Sequence, residues 1–122
     1  MSQWLIVTGC GNRLLARCKN DKSFKAKSLA PGVNIKALTG ENMSMVVFYI
    51  APGADVPEHS HPHEQMGTIL KGSLELIIGD EKKVVKPGDA WCVPPNVVHK
   101  GYCLDKAAEV LEFFSPPRED YK

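Results

Sequence analysis

From about residue 24 onward, glycine and proline cut this chain into short segments. Turn signals fall at Pro52-Gly53, Gly72, Gly79-Asp80, Pro87-Gly88 and Pro94-Pro95, and no strong helical period runs through them. The segments between carry strand patterns. VNIKALTG (33–40) alternates apolar and polar residues. MSMVVFYIAPG (43–53) is nearly continuously apolar, as in a strand covered on both faces. QMGTILKG (65–72), SLELIIGD (73–80), KKVVKPGD (82–89), AWCVPPNVVHKGY (90–102) and AAEVLEFFS (107–115) complete the series. Many short strands separated by regular turns predict an all-β antiparallel sandwich or barrel. The first residues differ: WLIV reads as a buried or edge strand, and NRLLARCKN (12–20) as a turn or two of helix. The expected organisation is an N-terminal extension, 1–30, packing on a barrel of 31–122.

At 122 residues and 43% apolar composition, one domain with its own core is expected. The net charge is +1 with acids and bases interspersed, so no basic stripe follows a phosphate backbone, and nucleic acid is not an expected partner. No apolar run approaches the roughly 20 residues of a membrane helix. The start, MSQWLIVTGC, lacks the basic region and apolar length of a signal segment, so a cytoplasmic location is expected. Cys10, Cys18, Cys92 and Cys103 form no CxxC pair and read as free thiols.

The chemistry concentrates in HSHPHEQ (59–65), which holds three of the four histidines. Side chains alternate along a strand, so His59 and His61 point the same way and form a two-toothed chelate. Gln65 lies an even step beyond His61, after the bend expected at Pro62. His99 follows the Pro-Pro turn on another strand, and strands of a small barrel converge on one interior point. His63 is expected to turn away after Pro62. Glu64 faces opposite to Gln65, and Asp89 reads as a turn acid.

These histidines sit in a framework of spaced glycines and prolines that resembles the cupin superfamily. The first cupin motif, G-x5-H-x-H-x3,4-E-x6-G, is matched by Gly53, His59, His61 and Gly72, with Gln65 at the glutamate position. The second, G-x5-P-x-G-x2-H-x3-N, is matched by Gly88, Pro94 and His99. Asn96 replaces its last glycine and Cys103 its asparagine. An asparagine tolerates left-handed backbone angles, so the turn is expected to survive. The resemblance spans about residues 31–117. It implies an antiparallel double-stranded β-helix, or jelly-roll barrel, with His59, His61, Gln65 and His99 as metal ligands. Four neutral donors leave a divalent ion its full charge, which favours Lewis-acid chemistry over stabilisation of a higher oxidation state. The donor set suits Zn, Ni, Mn or Fe.

In EVLEFFSPPREDY, Val110, Glu112 and Phe114 share one strand face, and Leu111 and Phe113 the other. Glu112 is thus a carboxyl among apolar groups, where desolvation favours its protonated form. HSHPHEQ, PGDAWCVPPNVVH and FFSPPREDY together resemble the pectin-degradation cupins that linearise 4,5-unsaturated uronates to open-chain keto sugar acids. That resemblance implies a catalytic role for Glu112, where the branch carries an aspartate, and a role for Phe114. Tyr49, Met66, Trp91 and Phe114 are the expected pocket lining, and Arg118 the expected carboxylate clamp. The expected partners are a small oxygenated substrate and a second copy, since small cupins commonly pair through sheet edges. The alternatives are a metal-dependent dioxygenase, a polyketide-cyclase-like enzyme, and a non-catalytic ligand- or metal-binding module.

Overall fold

The computed structural model describes residues 8–9, 13–14 and 24–122. Twelve strands are present among them: β1 (Thr8–Gly9), β2 (Arg13–Leu14), β3 (Lys25–Ala30), β4 (Val33–Thr39), β5 (Ser44–Ile50), β6 (Asp55–His59), β7 (Glu64–Lys71), β8 (Leu74–Ile78), β9 (Glu81–Val85), β10 (Ala90–Val93), β11 (His99–Cys103) and β12 (Ala108–Ser115). A single 3-10 turn, Glu119–Tyr121, follows. The described part is all-β with antiparallel pairing throughout, as its punctuated strand pattern predicts. WLIV and most of NRLLARCKN lie outside the described residues, as do Cys10 and Cys18. Arg13–Leu14, within NRLLARCKN, pairs with Thr8–Gly9.

Two sheets make the barrel. One runs β10-β7-β12-β5-β4-β3 and the other β6-β11-β8-β9. The chain passes from the first to the second at Gly72, whose φ of 75° suits glycine. Alternation decides what faces inward. Val33 and Ile35 of β4, Val46 and Phe48 of β5, and Val110 and Phe114 of β12 are buried on one side of the first sheet. Leu74 and Val85 of the second sheet pack against them. Burial of each such side chain contributes about 1.5–3 kcal/mol. In β5, Val47 is buried on the opposite face while Met45 and Tyr49 are half-buried, so this strand is only partly covered on its outer side.

Asn96 adopts φ 66°, the left-handed conformation expected where the motif has glycine. Its backbone N–H donates to the His61 carbonyl at 2.7 Å, which ties the turn before His99 to the first histidine segment. Gly72 has no such latitude. A Cβ there would lie 2.4 Å from the Ala107 carbonyl oxygen, in addition to its positive φ. Gly72→Ala should therefore lower stability by about 2 kcal/mol or more, whereas Asn96→Gly should cost almost nothing. Urea unfolding midpoints test both, and an unshifted Gly72→Ala midpoint would contradict the packing described.

Candidate metal centre and pocket

The three histidines that the motif spacing selects meet inside the barrel. His59 closes β6 and pairs directly with His99, which opens β11. His61 follows in the connection to β7. Ring centroids lie 4.2 Å apart for His59–His99, 4.9 Å for His61–His99 and 5.6 Å for His59–His61. One nitrogen from each comes within 4.8 Å of the others.

Backbone carbonyls decide which nitrogen that is. His59 Nδ1–H donates to Pro57 O at 2.7 Å and His99 Nδ1–H to Val97 O at 2.8 Å, while His61 Nδ1 lies 3.1 Å from His63 O. A carbonyl only accepts, so the Nδ1 of His59 and of His99 carries the proton and their Nε2 presents a lone pair; His61 faces an oxygen at each nitrogen. His99 Nε2 is buried with no hydrogen-bond partner. His61 Nε2 lies 2.9 Å from Gln65 Oε1: a proton on the nitrogen satisfies the pair, and a cation in the proton's place would be shared by both atoms. Gln65 turns its amide nitrogen to Glu112 Oε2, which leaves its oxygen for the histidine side. Three imidazole lone pairs and an amide oxygen thus form a donor set that fits a divalent cation.

Electrostatics agree with that fit. Burial lowers the pKa of His99 from 6.5 to about 4, against a smaller opposing effect of its bond to Val97. His61 is lowered too, by burial first and by the charge of Arg118 second. Glu112 moves the other way, raised from 4.5 to about 7 by burial. The Gln65 N–H, the nearby Trp91 indole and Arg118 pull it back down. The indole nitrogen itself is buried outside strict hydrogen-bond geometry.

A pocket of about 190 Å³ opens onto this cluster, lined by His59, Gln65, His99, Glu112, Phe114 and Tyr121, with apolar walls from both sheets. Phe114 meets the His61 ring edge-on at 5.5 Å. Tyr49 and Met66 are not in this lining. Period-two alternation places them on the outer face of the sheet, Met66 exposed and Tyr49 under the Lys36 ammonium. Trp91 is on the inner side, but its ring lies over Gly67, where a Cβ would approach to 2.6 Å, and it borders a separate cavity. Arg118 stands behind Phe114. Its guanidinium stacks on Tyr121 at 4.2 Å and on Phe114 at 4.9 Å, and it donates twice to Asp120 at 3.0 and 2.8 Å. Nη1 alone has no partner. His63 supports the site through its carbonyl, while its ring stands edge-on to His61 at 5.4 Å. Glu64 is exposed, and Asp89 accepts from the Lys86 N–H in a turn.

Sequence reasoning missed Tyr121, Ser44 and Gly67. Tyr121 lines the pocket from the 3-10 turn, with burial raising its hydroxyl to about 12. Ser44 is fully buried and accepts the Arg118 backbone N–H at 2.9 Å. Alternation does not extend through Pro116-Pro117, so no periodic signal marks Tyr121. Gly67 had a signal, a glycine inside a strand pattern, which marks close approach of another group.

A two-sheet antiparallel barrel with three convergent histidines on its inner wall is the architecture of a cupin. The chain belongs to the cupin family, and the family's Cupin domain matches residues 46–114. Among its relatives is the pectin degradation protein KdgF of Dickeya dadantii, 32% identical over 97 residues, covering 78% of this chain and 88% of that protein. The KdgF structure from Halomonas sp. superposes with a TM-score of 0.73 at 29% identity, covering 78% of this chain and 88% of that one. An RmlC-like cupin of Shewanella frigidimarina superposes with a TM-score of 0.76 at 25% identity, covering 83% and 91%. No described helix is long and apolar enough to cross a membrane.

Two outcomes test the centre. His99→Ala should purify folded but lose most of its divalent metal by elemental analysis. In chelator-treated wild type, folding depresses the His99 pKa, so the unfolded chain binds more protons between pH 6.5 and 4. Stability contributed by neutral His99 is complete above pH 6.5 and lost as pH falls through that window, and His99→Ala should flatten the slope. Glu112, raised from 4.5 to about 7, contributes a slope of opposite sign over much the same range, so the comparison of the two proteins is the test: an identical pH slope in metal-free wild type and His99→Ala would oppose this.

Proposed function

We propose that the protein is a metal-dependent isomerase that opens the ring of a 4,5-unsaturated uronate to give the linear keto sugar acid. His59, His61, Gln65 and His99 hold one divalent ion, which supplies Lewis acidity to the sugar oxygens. The observation that carries the reading is the placement of Glu112 and Phe114 against that donor set in one pocket, in a chain related to a pectin degradation protein.

The reaction is a proton relocation. The anomeric hydroxyl loses its proton, the bond between C1 and the ring oxygen breaks to give an aldehyde, and C4 gains a proton as the enol becomes a ketone. Nothing is oxidised and no water is consumed. One carboxyl that takes a proton from oxygen and returns one to carbon suffices, and Glu112 is the only carboxyl among the described residues lining the pocket. Gln65 fixes one carboxyl oxygen through its N–H. Phe114 and the leucines of the opposite sheet limit water around the enol. Arg118, buried behind Phe114 and outside the pocket lining, acts as a positioning residue: it stacks on Phe114 and Tyr121 while Asp120 holds the guanidinium plane.

Turnover of the unsaturated monouronate released by a polysaccharide lyase tests the reading, followed by loss of the conjugated alkene's ultraviolet absorbance. Glu112→Gln should reduce kcat by about 10²–10⁴-fold with metal content unchanged. Glu112→Asp, the acid that the related branch carries, should retain measurable activity. Equal activity in wild type and Glu112→Gln would remove Glu112 from the mechanism, and inert metal-loaded wild type would remove the substrate assignment.

A further inference from the structure

The indole nitrogen of Trp91 is buried with no hydrogen-bond partner in strict geometry, and an orphaned buried donor is costly. Strand register places one acceptor in line with it. Trp91 of β10 pairs with Gly67 of β7, and Gly67 pairs with Glu112 of β12. The three share one row on the inner side of the sheet. Trp91 and Glu112 are therefore two strand spacings apart, about 10 Å at their backbones. The position between them has no side chain, and the indole fills it. A Cβ on Gly67 would come within 2.6 Å of Nε1, Cε2 and Cζ2. The nitrogen-bearing edge of the ring thus lies over the glycine, on the side toward β12. Few side chains span such a distance, and tryptophan does so with a group that only donates.

We propose that Trp91 is a positioning residue for Glu112: its indole N–H donates to the carboxyl and, with Gln65, fixes the plane in which the acid meets substrate. The proposal rests on the reading of Glu112 as the proton carrier. Gln65 bonds Oε2 from a position diagonal along the strands, and one donor leaves the carboxyl free to turn about that bond. A second donor, arriving straight across the sheet, removes that freedom. Each carboxyl oxygen accepts more than one bond, so two protein donors still leave lone pairs for the reaction. Catalytic hydrogen bonds are often long or poorly aligned in an unliganded site, as this one is. Burial raises Glu112, and after the Gln65 N–H the indole is the next group that opposes the rise. The ring is braced from behind by Leu76, Ile78 and Val85, which border the second cavity with it. Trp91 is outside the lining of the histidine pocket, so it acts through Glu112.

Two measurements test this, one of them independent of the reaction. The chain has two tryptophans. Trp91→Phe keeps a ring and removes the N–H, so it assigns the Trp91 indole resonance in a proton–nitrogen correlation spectrum of chelator-treated protein. That resonance should move upfield in Glu112→Leu, which removes the acceptor and keeps a side chain of similar volume. In kinetics, Trp91→Phe should lower kcat on the unsaturated uronate about 10–100-fold, the worth of one hydrogen bond to a charged group, with KM and metal content unchanged. Placed on Glu112→Gln, the same change should lower kcat no further, because it acts through the carboxyl. A residue that only packs would give the same loss in both backgrounds. An indole resonance that ignores Glu112→Leu, a Trp91→Phe enzyme with wild-type kcat, or an equal loss in both backgrounds would each overturn the inference. An inert wild type would remove the uronate reading alone, and the indole shift would still decide the role of Trp91.

Discussion

Backbone carbonyls hold three imidazoles in one orientation, and the chemistry of the pocket follows from that. The carbonyls of Pro57, Val97 and His63 each face the Nδ1 of a histidine. The histidine and its carbonyl are two apart in every case. Three Nε2 atoms then share one small volume in a low-dielectric wall. Without a cation, that arrangement is poorly satisfied: His61 Nε2 can share a proton with Gln65 Oε1, but His99 Nε2 is buried without a partner, and burial resists the proton that would relieve it. With a divalent ion it becomes a preorganised donor set, in which desolvation helps by keeping His61 and His99 neutral.

The barrel supplies the other half of the site by alternation alone. Glu112 pairs across β12–β7 with Gly67, and Gly67 pairs across β7–β10 with Trp91. A side chain on Gly67 would occupy the space of the indole. The glycine therefore lets an aromatic ring cover the strand and wall the carboxyl from the second cavity. The same alternation that turns Gln65, Glu112 and Phe114 inward turns Met66, Leu111 and Phe113 outward. An inner face that carries the candidate site thus leaves a largely apolar outer one in the same strands.

The strands and the three histidines were legible in the sequence because both depend on short spacing. Gly-Pro punctuation marks strand ends, and His-x-His places two imidazoles on one side. The even step to Gln65 held because the connection after Pro62 ends where β7 begins. The position of Asn96 was legible for a conformational reason, since few residues other than glycine take φ near +60° without cost. What failed was the choice of lining residues from their type alone. Tyr49 and Met66 are large and apolar, but they occupy the outward parity of β5 and β7, a fact available from the burial of Val46 and Gln65 and not from their own identity. Tyr121 was beyond reach for the opposite reason: two prolines and a 3-10 turn bring it back to the pocket, and no periodicity crosses such a bend.

The length of Glu112 has a geometric meaning. Its direct cross-strand neighbour is Gly67, yet its carboxyl meets Gln65, which pairs with Phe114 two positions along. Such diagonal neighbours lie about 7–8 Å apart at their backbones, a span that needs a long side chain from one partner at least. Glutamine and glutamate together bridge it. An aspartate at 112 would shorten the bridge, leaving the amide to find another acceptor or the strands to draw closer. The contact also joins two functions. With the Gln65 oxygen toward the histidines, its N–H faces Glu112 and favours the carboxylate. A cation held by the histidines and that oxygen would therefore be linked to the proton on the acid through a single amide.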